Sequence, residues 1–436
     1  MPDLKQKEDF ENLPQEMTYE EKVKENYKWN LPVGIVHGIT HYAAMGFYYQ
    51  STVLSKFIFD LSGSSALVGA VNSLGSLAHQ LPQLFGSALV EHLPLKKKML
   101  ITFGVLTRLP WLLLSLVVLN APKNIALPVS ILLYTISTAF MGLYLLVWTD
   151  LMSKVIPLEY RGNYFGIRNF LASLATAGAG IIAGKIIQAY LYPNGYAISF
   201  FVAFIIHFID LWILARTKEE PSPRVAAKST IMAKIKNIPV YFREDKNFAR
   251  YCYVRTLASF IVVGFPFYII FAQQKLSLDP RSAAAAVGSF TFAQVASRAF
   301  GNLIWGKVSQ RSGYKAPLEM ACLIIGTVSV ASAYINSYWG FIVALIIAGI
   351  GSAGFFLSSL NILMEFGKPY QRTTYIGISN AVVGLGGFIA PFLAGTVAQK
   401  YSFPAVFWMV GIISIITFFL FRFYVTDPRL IKEYRE

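Results

Sequence analysis

Apolar residues in this chain fall in runs of about 20, the length that a helix rising about 1.5 Å per residue needs to cross about 30 Å of hydrocarbon. The pattern predicts spans at approximately Leu31 to Leu54, Ser65 to Phe85, Met99 to Leu119, Leu127 to Leu151, Tyr164 to Ala189 and Ala197 to Leu214. After a polar stretch from Ala215 to Arg250 it predicts six more, approximately Cys252 to Phe271, Ala283 to Trp305, Leu318 to Ile335, Tyr338 to Met364, Tyr375 to Ala398 and Phe403 to Tyr424. Lipid leaves each backbone polar group to be satisfied within its own segment or a closed barrel, and continuous runs rather than alternation select helices. The expected architecture is an all-α membrane protein: a tail (1–30), a six-helix bundle (31–214), a linker (215–250), a second bundle (251–424) and a short tail (425–436).

Composition agrees, since 55% hydrophobic against 14% charged residues is an excess that a soluble surface does not normally carry. A net charge of +15 would suit a nucleic-acid partner, but its placement argues against one. With the amino terminus inside, about 28 of the 38 basic residues fall in the loops and tails of one face, and positive-inside asymmetry makes both termini cytoplasmic in a plasma (inner) membrane. The first thirty residues have no apolar core and do not read as a cleavable signal. Thr18 and Glu21 have capping-box spacing, so that tail either starts a short surface helix after Pro14 or stays disordered. Two cysteines, Cys252 and Cys322, imply neither a disulfide framework nor a Cys-rich metal site.

The chain also repeats itself. Arg161, Tyr164, Gly166, Ile167 and Asn169 return as Arg372, Tyr375, Gly377, Ile378 and Asn380, an R-x-x-Y-x-G-I-x-N pattern at an offset of 211 residues (372 against 161), and Ala183-Gly184 returns as Ala394-Gly395. After span eight, the loop Gly306, Gln310, Arg311, Gly313, Lys315 resembles the G-x-L-A-D-R-x-G-R-K loop of the major facilitator superfamily, with Gln310 in place of the acid. Its first-half counterpart, Ser87 to Lys96, keeps an acid at Glu91 and a lysine but neither glycine. Pro157 to Gly162 is similar to the superfamily's P-x-x-x-R-G loop after span four. The resemblance implies two bundles related by an axis along the membrane normal, spans 1, 4, 7 and 10 around a central cavity, and solute transport by alternating access.

Two glycine motifs are discounted. Gly349, Gly351 and Gly354, and the stretch Gly301 to Lys307, have nucleotide-loop spacing but lie within apolar helical runs, where small residues serve close helix packing. No nucleophile, metal or cofactor constellation argues for an enzyme; a transferase reading of Asp150, Glu159 and Arg161 is undercut because the loop repeat already accounts for Arg161. A non-transporting membrane sensor or adaptor on the same fold is the alternative.

Ionisable residues within spans are costly and tend to face a cavity or a partner. Arg298 shares a stripe with Phe290, Gln294 and Asn302, and is read either as a substrate or coupling contact or as a structural tie. His37 and His41 share a face of span one with Tyr48 further along; an imidazole changes charge near neutral pH, so His41 is read either as the carrier of a coupling proton or as a hydrogen-bonded neutral histidine. Tyr144, Asn169 and Asn380 complete the substrate and coupling candidates, whereas Arg108 is expected to be structural. Asp150, Glu365 and Asp210 are placed near the cytoplasmic ends of their spans and read as snorkelling and salt-bridged rather than as deep proton sites, leaving no carboxylate at mid-depth. A cytoplasmic gate is expected from Glu91 near the helix start at Tyr375, Lys96 with Asp150 and Arg311 with Glu365, together with Arg161, Gly306, Gln310, Lys315 and Arg372. The aromatic, carboxylate-poor cavity suits a sugar, a nucleoside or an amphipathic drug, a proton is the expected coupling ion, no cofactor is implied, and a monomer is expected. The drug-exporter pattern in span five is incomplete: Gly178, Gly180 and Gly184 are present without a proline.

Overall fold

The computed structural model describes residues 18–90, 93–222, 238–366 and 372–431, with the side chains of 84–90, 158, 238 and 372–374 excepted. Thr18 does cap a helix: its hydroxyl accepts from Glu21 N while Glu21 Oε2 accepts from Thr18 N at 2.8 Å. That helix is not a separate surface element, because it runs unbroken from Tyr19 to Gly46 as the start of span 1, passing through Pro32. Span 1 then turns, winds through Gln50–Leu54 and finishes as Ser55–Ser62.

The following spans are 2 (Ser65–Val90), 3 (Lys97–Asn120), 4 (Lys123–Val155), 5 (Arg161–Tyr190) and 6 (Asn194–Ala215). Span 7 is broken like span 1, into Lys246–Ala258 and Phe265–Lys275 around a short tight turn at Ser259–Val262. Spans 8 (Pro280–Ser312), 9 (Lys315–Ser332), 10 (Tyr338–Asn361), 11 (Arg372–Lys400) and 12 (Phe403–Tyr424) complete the chain. Helix starts follow local chemistry, with Asp245, Asp279, Ser337 and Ser402 each accepting a backbone N–H of the first turn.

Among the described residues nine helices are long and apolar enough to cross a membrane. Spans 1, 2 and 8 carry more polar residues and turn them inward, among them Asn30, His37, Asn72, Thr291 and Gln294, while Leu132, Phe208, Trp212, Leu303 and Phe392 point outward. Cys252 and Cys322 are buried and unpaired.

The two halves join at the end remote from the chain termini. There Gly184 of span 5 lies against Gly288 of span 8, and Gly69 of span 2 against Gly395 of span 11; a Cβ on Gly69 would fall 2.3 Å from Pro391 O. Thr52 Oγ1 meets Thr291 Oγ1 at 2.5 Å, and Ser65 N donates to Gln399 at 2.9 Å. Gly184 and Gly395 are the repeat's own glycines, so each half uses the same small residue to let backbones approach. At the end bearing the termini, the ion pairs among the described residues stay within one half.

Candidate functional site

A carboxylate is buried at the centre of the first half. Arg108 lies midway along span 3, and its Nη2 bonds Asp210 Oδ2 from span 6, with both side chains out of contact with solvent. His41 Nδ1 stands 3.1 Å from the same oxygen and His37 Nε2 3.1 Å from Oδ1, the latter without the alignment of a hydrogen bond. His207 Nδ1 is 3.6 Å from Oδ2. An outer ring holds these groups: His37 Nε2 bonds the Tyr144 hydroxyl at 3.0 Å, His207 Nε2 bonds the Tyr48 hydroxyl at 2.8 Å, and Arg108 donates to the carbonyls of Gly104 at 2.9 Å and His207 at 2.8 Å. Gly104 matters sterically, since a Cβ there would crowd Arg108 Nη1 and Leu211.

The expectation of a snorkelling Asp210 is corrected here: its carboxylate does not reach solvent but is fully buried and ion-paired with Arg108 of span 3, so the salt bridge and not snorkelling accounts for it. The first half therefore does hold a carboxylate inside the bundle, paired with a residue midway along span 3. A sequence signal for it existed: Arg108 in mid-span favours an acidic partner, and His207 and Asp210 share a face at i, i+3.

His37, His41 and Asp210 bring three metal-type ligand atoms within 4.8 Å of one another. The carboxylate is already bonded to Arg108, and a dication would have to sit beside that guanidinium, so the donor set suits a proton better than a metal.

A second polar region involves the motif asparagines. Asn169 accepts from Arg168 Nη1 at 3.2 Å; Arg168 is buried over the ring of Trp148 (4.4 Å) and near that of Tyr42 (5.7 Å), and its Nε has no acceptor. In the other half Arg255 of span 7 donates to Ser379 at 2.7 Å and Asn380 at 3.1 Å. Neither arginine lies within 4 Å of a carboxylate among the described residues. Sequence reasoning missed both: Arg168 occupies a variable position of the repeat, and Arg255 sits near the start of span 7. Gln294 is buried with Oε1 unpartnered, and Arg298 stacks over Phe356 at 5.9 Å without an acid.

Of the expected gate, Lys96 Nζ meets Asp150 at 3.0 Å. Arg161 makes no cross-half pair among the described residues; it donates to the carbonyls of Ile156 (3.0 Å) and Ser153, tying the turn between spans 4 and 5. Glu365 does not pair with Arg311. It faces Arg429 Nε at 3.9 Å, because the turn Pro428–Leu430 after span 12 brings Arg429 between spans 8 and 10, where it also donates to Ser312 O at 2.5 Å. Arg311 and Gln310 are exposed, Gly306 faces open space, and Lys315 pairs with Glu319 at 3.4 Å. Glu91 and the Arg372 side chain lie outside the described residues. Glu219, not foreseen, accepts from the backbone N–H of Lys96 (2.8 Å) and Lys97 (2.9 Å) and from Lys154 Nζ (2.8 Å).

Comparison with known proteins agrees with this geometry. The chain is 27% identical over 277 residues, 63% of its length, to an uncharacterized MFS-type transporter of Methanocaldococcus jannaschii. That match spans 66% of the archaeal chain, and two fungal relatives are matched over only 26% and 20% of their lengths. Its fold is similar to that of a point variant of the nucleoside transporter NupG (TM-score 0.74, 13% identity, 90% of this chain and 98% of that one). It is also similar to a D-xylose-proton symporter (TM-score 0.72, 13% identity, 91% and 98%). The Major Facilitator Superfamily model matches residues 37–293 and again 253–434, and the chain is a multi-pass membrane protein belonging to that superfamily.

Proposed function

We propose that the protein is a secondary active transporter moving a small solute by alternating access, with a proton as the coupling ion at the Arg108–Asp210–histidine cluster. The observation that carries the coupling step is a single buried carboxylate shared by one guanidinium and three imidazoles. With the imidazoles neutral, the Arg108 and Asp210 charges cancel; one added proton leaves the cluster at +1 in a site buried from solvent. Such a charge is costly unless the surroundings rearrange or the proton leaves, and this links protonation to conformation. Tyr144 holds the His37 ring nitrogen and Tyr48 that of His207.

The moving units are residues 31–214 and 251–424, and the end bearing the termini is cytoplasmic in a plasma (inner) membrane. With the halves joined through Gly184, Gly288, Gly69 and Gly395, the described arrangement is sealed on the external side. In the opposite state, the cytoplasmic side closes through Glu91, Lys96, Asp150, Arg161, Gly306, Gln310, Arg311, Lys315 and Arg372, while Glu365 either keeps Arg429 or exchanges it for Arg311. Each half supplies the other's packing surface, so a monomer suffices. The breaks in spans 1 and 7 fall at equivalent places, as expected where helices must bend around a solute.

The test is uptake of a labelled solute panel into proteoliposomes carrying an inward proton gradient, with and without a protonophore. Accumulation of one solute class that the protonophore collapses supports the reading. Binding without any transmembrane flux would favour a sensor on the same fold.

A further inference from the structure

The transport reading leaves the substrate class open, and the charge balance around the motif asparagines narrows it. Arg108 is neutralised by Asp210, but Arg168 and Arg255 have no acid among the described residues. Each is more than nine-tenths buried. A guanidinium does not lose its proton in a protein, so two permanent charges are held in the spans with no counter-ion among the described residues.

Their positions are related by the repeat. Asn169 and Asn380 stand 211 residues apart, and each accepts from one of the two guanidinium groups. In the first half the arginine comes from span 5 and fills the space left by Gly38 of span 1, where a Cβ would fall 2.6 Å from Arg168 Cγ. In the second half span 7 supplies the arginine, and Ser379, the equivalent of Arg168, receives it. The side chains have exchanged helices while the charge stays beside the same asparagine, and repeat-related positions share one depth in the membrane.

Both asparagines border the space between the halves. On span 5, Phe165 touches Trp148 of span 4 and Phe170 touches Phe300 of span 8, each with ring centroids 6.0 Å apart. At about 100° per residue, Gly166 and Asn169 fall between those two contacts, whereas the exposed Ile167 and Leu174 lie on the outward side. Apart from its own stretch of helix, no described atom lies within 4 Å of where a Cβ on Gly166 would stand, and Gly377, its equivalent on span 11, is equally open.

We propose that Arg168 with Asn169 and Arg255 with Asn380 are two poles of a site for a small organic oxyanion, a carboxylate or a phosphate ester, whose body packs beside Trp148 and Tyr42. The unpartnered Nε of Arg168 and the amide nitrogens of both asparagines supply further donors. This rests on the transporter reading and gives its substrate class, in place of neutral sugars and nucleosides.

The test is thermal unfolding of the full-length detergent-purified protein with millimolar D-glucuronate, glucose 6-phosphate, citrate and benzoate, against D-glucose and uridine as neutral probes. At least one anion is expected to raise Tm in the wild type and in Lys185→Gln, a charge-loss control on the same helix. Arg168→Gln and Arg255→Gln should each weaken that anion by about tenfold or more, with Arg168→Lys and Arg255→Lys intermediate. The carboxylates and the phosphate ester separate the two sources of oxyanion. The assignment is overturned if no anion gives a shift that both glutamine variants reduce while their own folded baseline is retained. Proteoliposome uptake separates the two readings: neutral solutes carried undiminished by both variants would leave a transporter without an anion site, whereas no flux of any solute would remove the transport reading itself.

Discussion

Gly184 of span 5 lies backbone to backbone against Gly288 of span 8, so that a Cβ on Gly184 would fall 2.7 Å from the Gly288 nitrogen. The repeat-related Gly395 makes the same kind of contact with Gly69 of span 2. Backbone cannot yield as a flexible side chain does, so Gly184→Val or Gly395→Val should pry the halves apart at this end. Spin labels placed at Ser65 and Gln399 should report a longer separation in either variant, while helix content is unchanged. An unaltered distance would mean that these glycines do not set the closure.

Asp210 and Arg108 are each other's counter-ion in a site closed to water. Asp210→Asn should lower stability by about 3–5 kcal/mol, because it strands a buried guanidinium. Arg108→Met combined with Asp210→Asn should cost clearly less than the sum of the two single changes. Denaturant or thermal melts of the four proteins close this cycle, and additive losses would show that the pair is not a unit.

Glu219 lies in the linker yet has a buried carboxylate that accepts from two backbone N–H groups at the start of span 3 and from Lys154. Glu219→Ala should cost about 1–3 kcal/mol by leaving those donors unsatisfied. Hydrogen exchange at Lys96 and Lys97 should rise selectively in this variant.

Gly38 admits Arg168, so Gly38→Leu should expel the guanidinium from its seat against Trp148. Overpacking of this kind costs about 1–3 kcal/mol. Quenching or shift of Trp148 fluorescence is the direct readout, and Gly38→Ala should show the same change in smaller measure.

What could be read from the sequence was what depends on neighbours along the chain. The lengths of apolar runs set the spans, and a fixed offset linked Asn169 to Asn380 and Gly184 to Gly395. Thr18 and Glu21 were legible as a cap for the same reason, although the continuity of that helix into span 1 was not. Contacts between helices were not legible. Distance to the end of span 6 does not reveal the burial of Asp210, because its partner Arg108 stands on span 3. Glu365 was matched with Arg311 by loop position, but the chain returns after span 12 and places Arg429 there instead. Arg168 stands where the repeat differs, opposite Ser379, so the matched positions carry no signal for it.

The measurement that bears most directly on the account compares two modes of transport in proteoliposomes: accumulation driven by an inward proton gradient, and exchange of the same solute at equal pH. Wild-type protein should show both. A variant that keeps the fold but cannot cycle the proton, His41→Gln or the Asp210→Asn, Arg108→Met pair, should lose accumulation and keep exchange. Gradient-driven accumulation at wild-type rates in these variants would contradict a coupling role for the buried cluster.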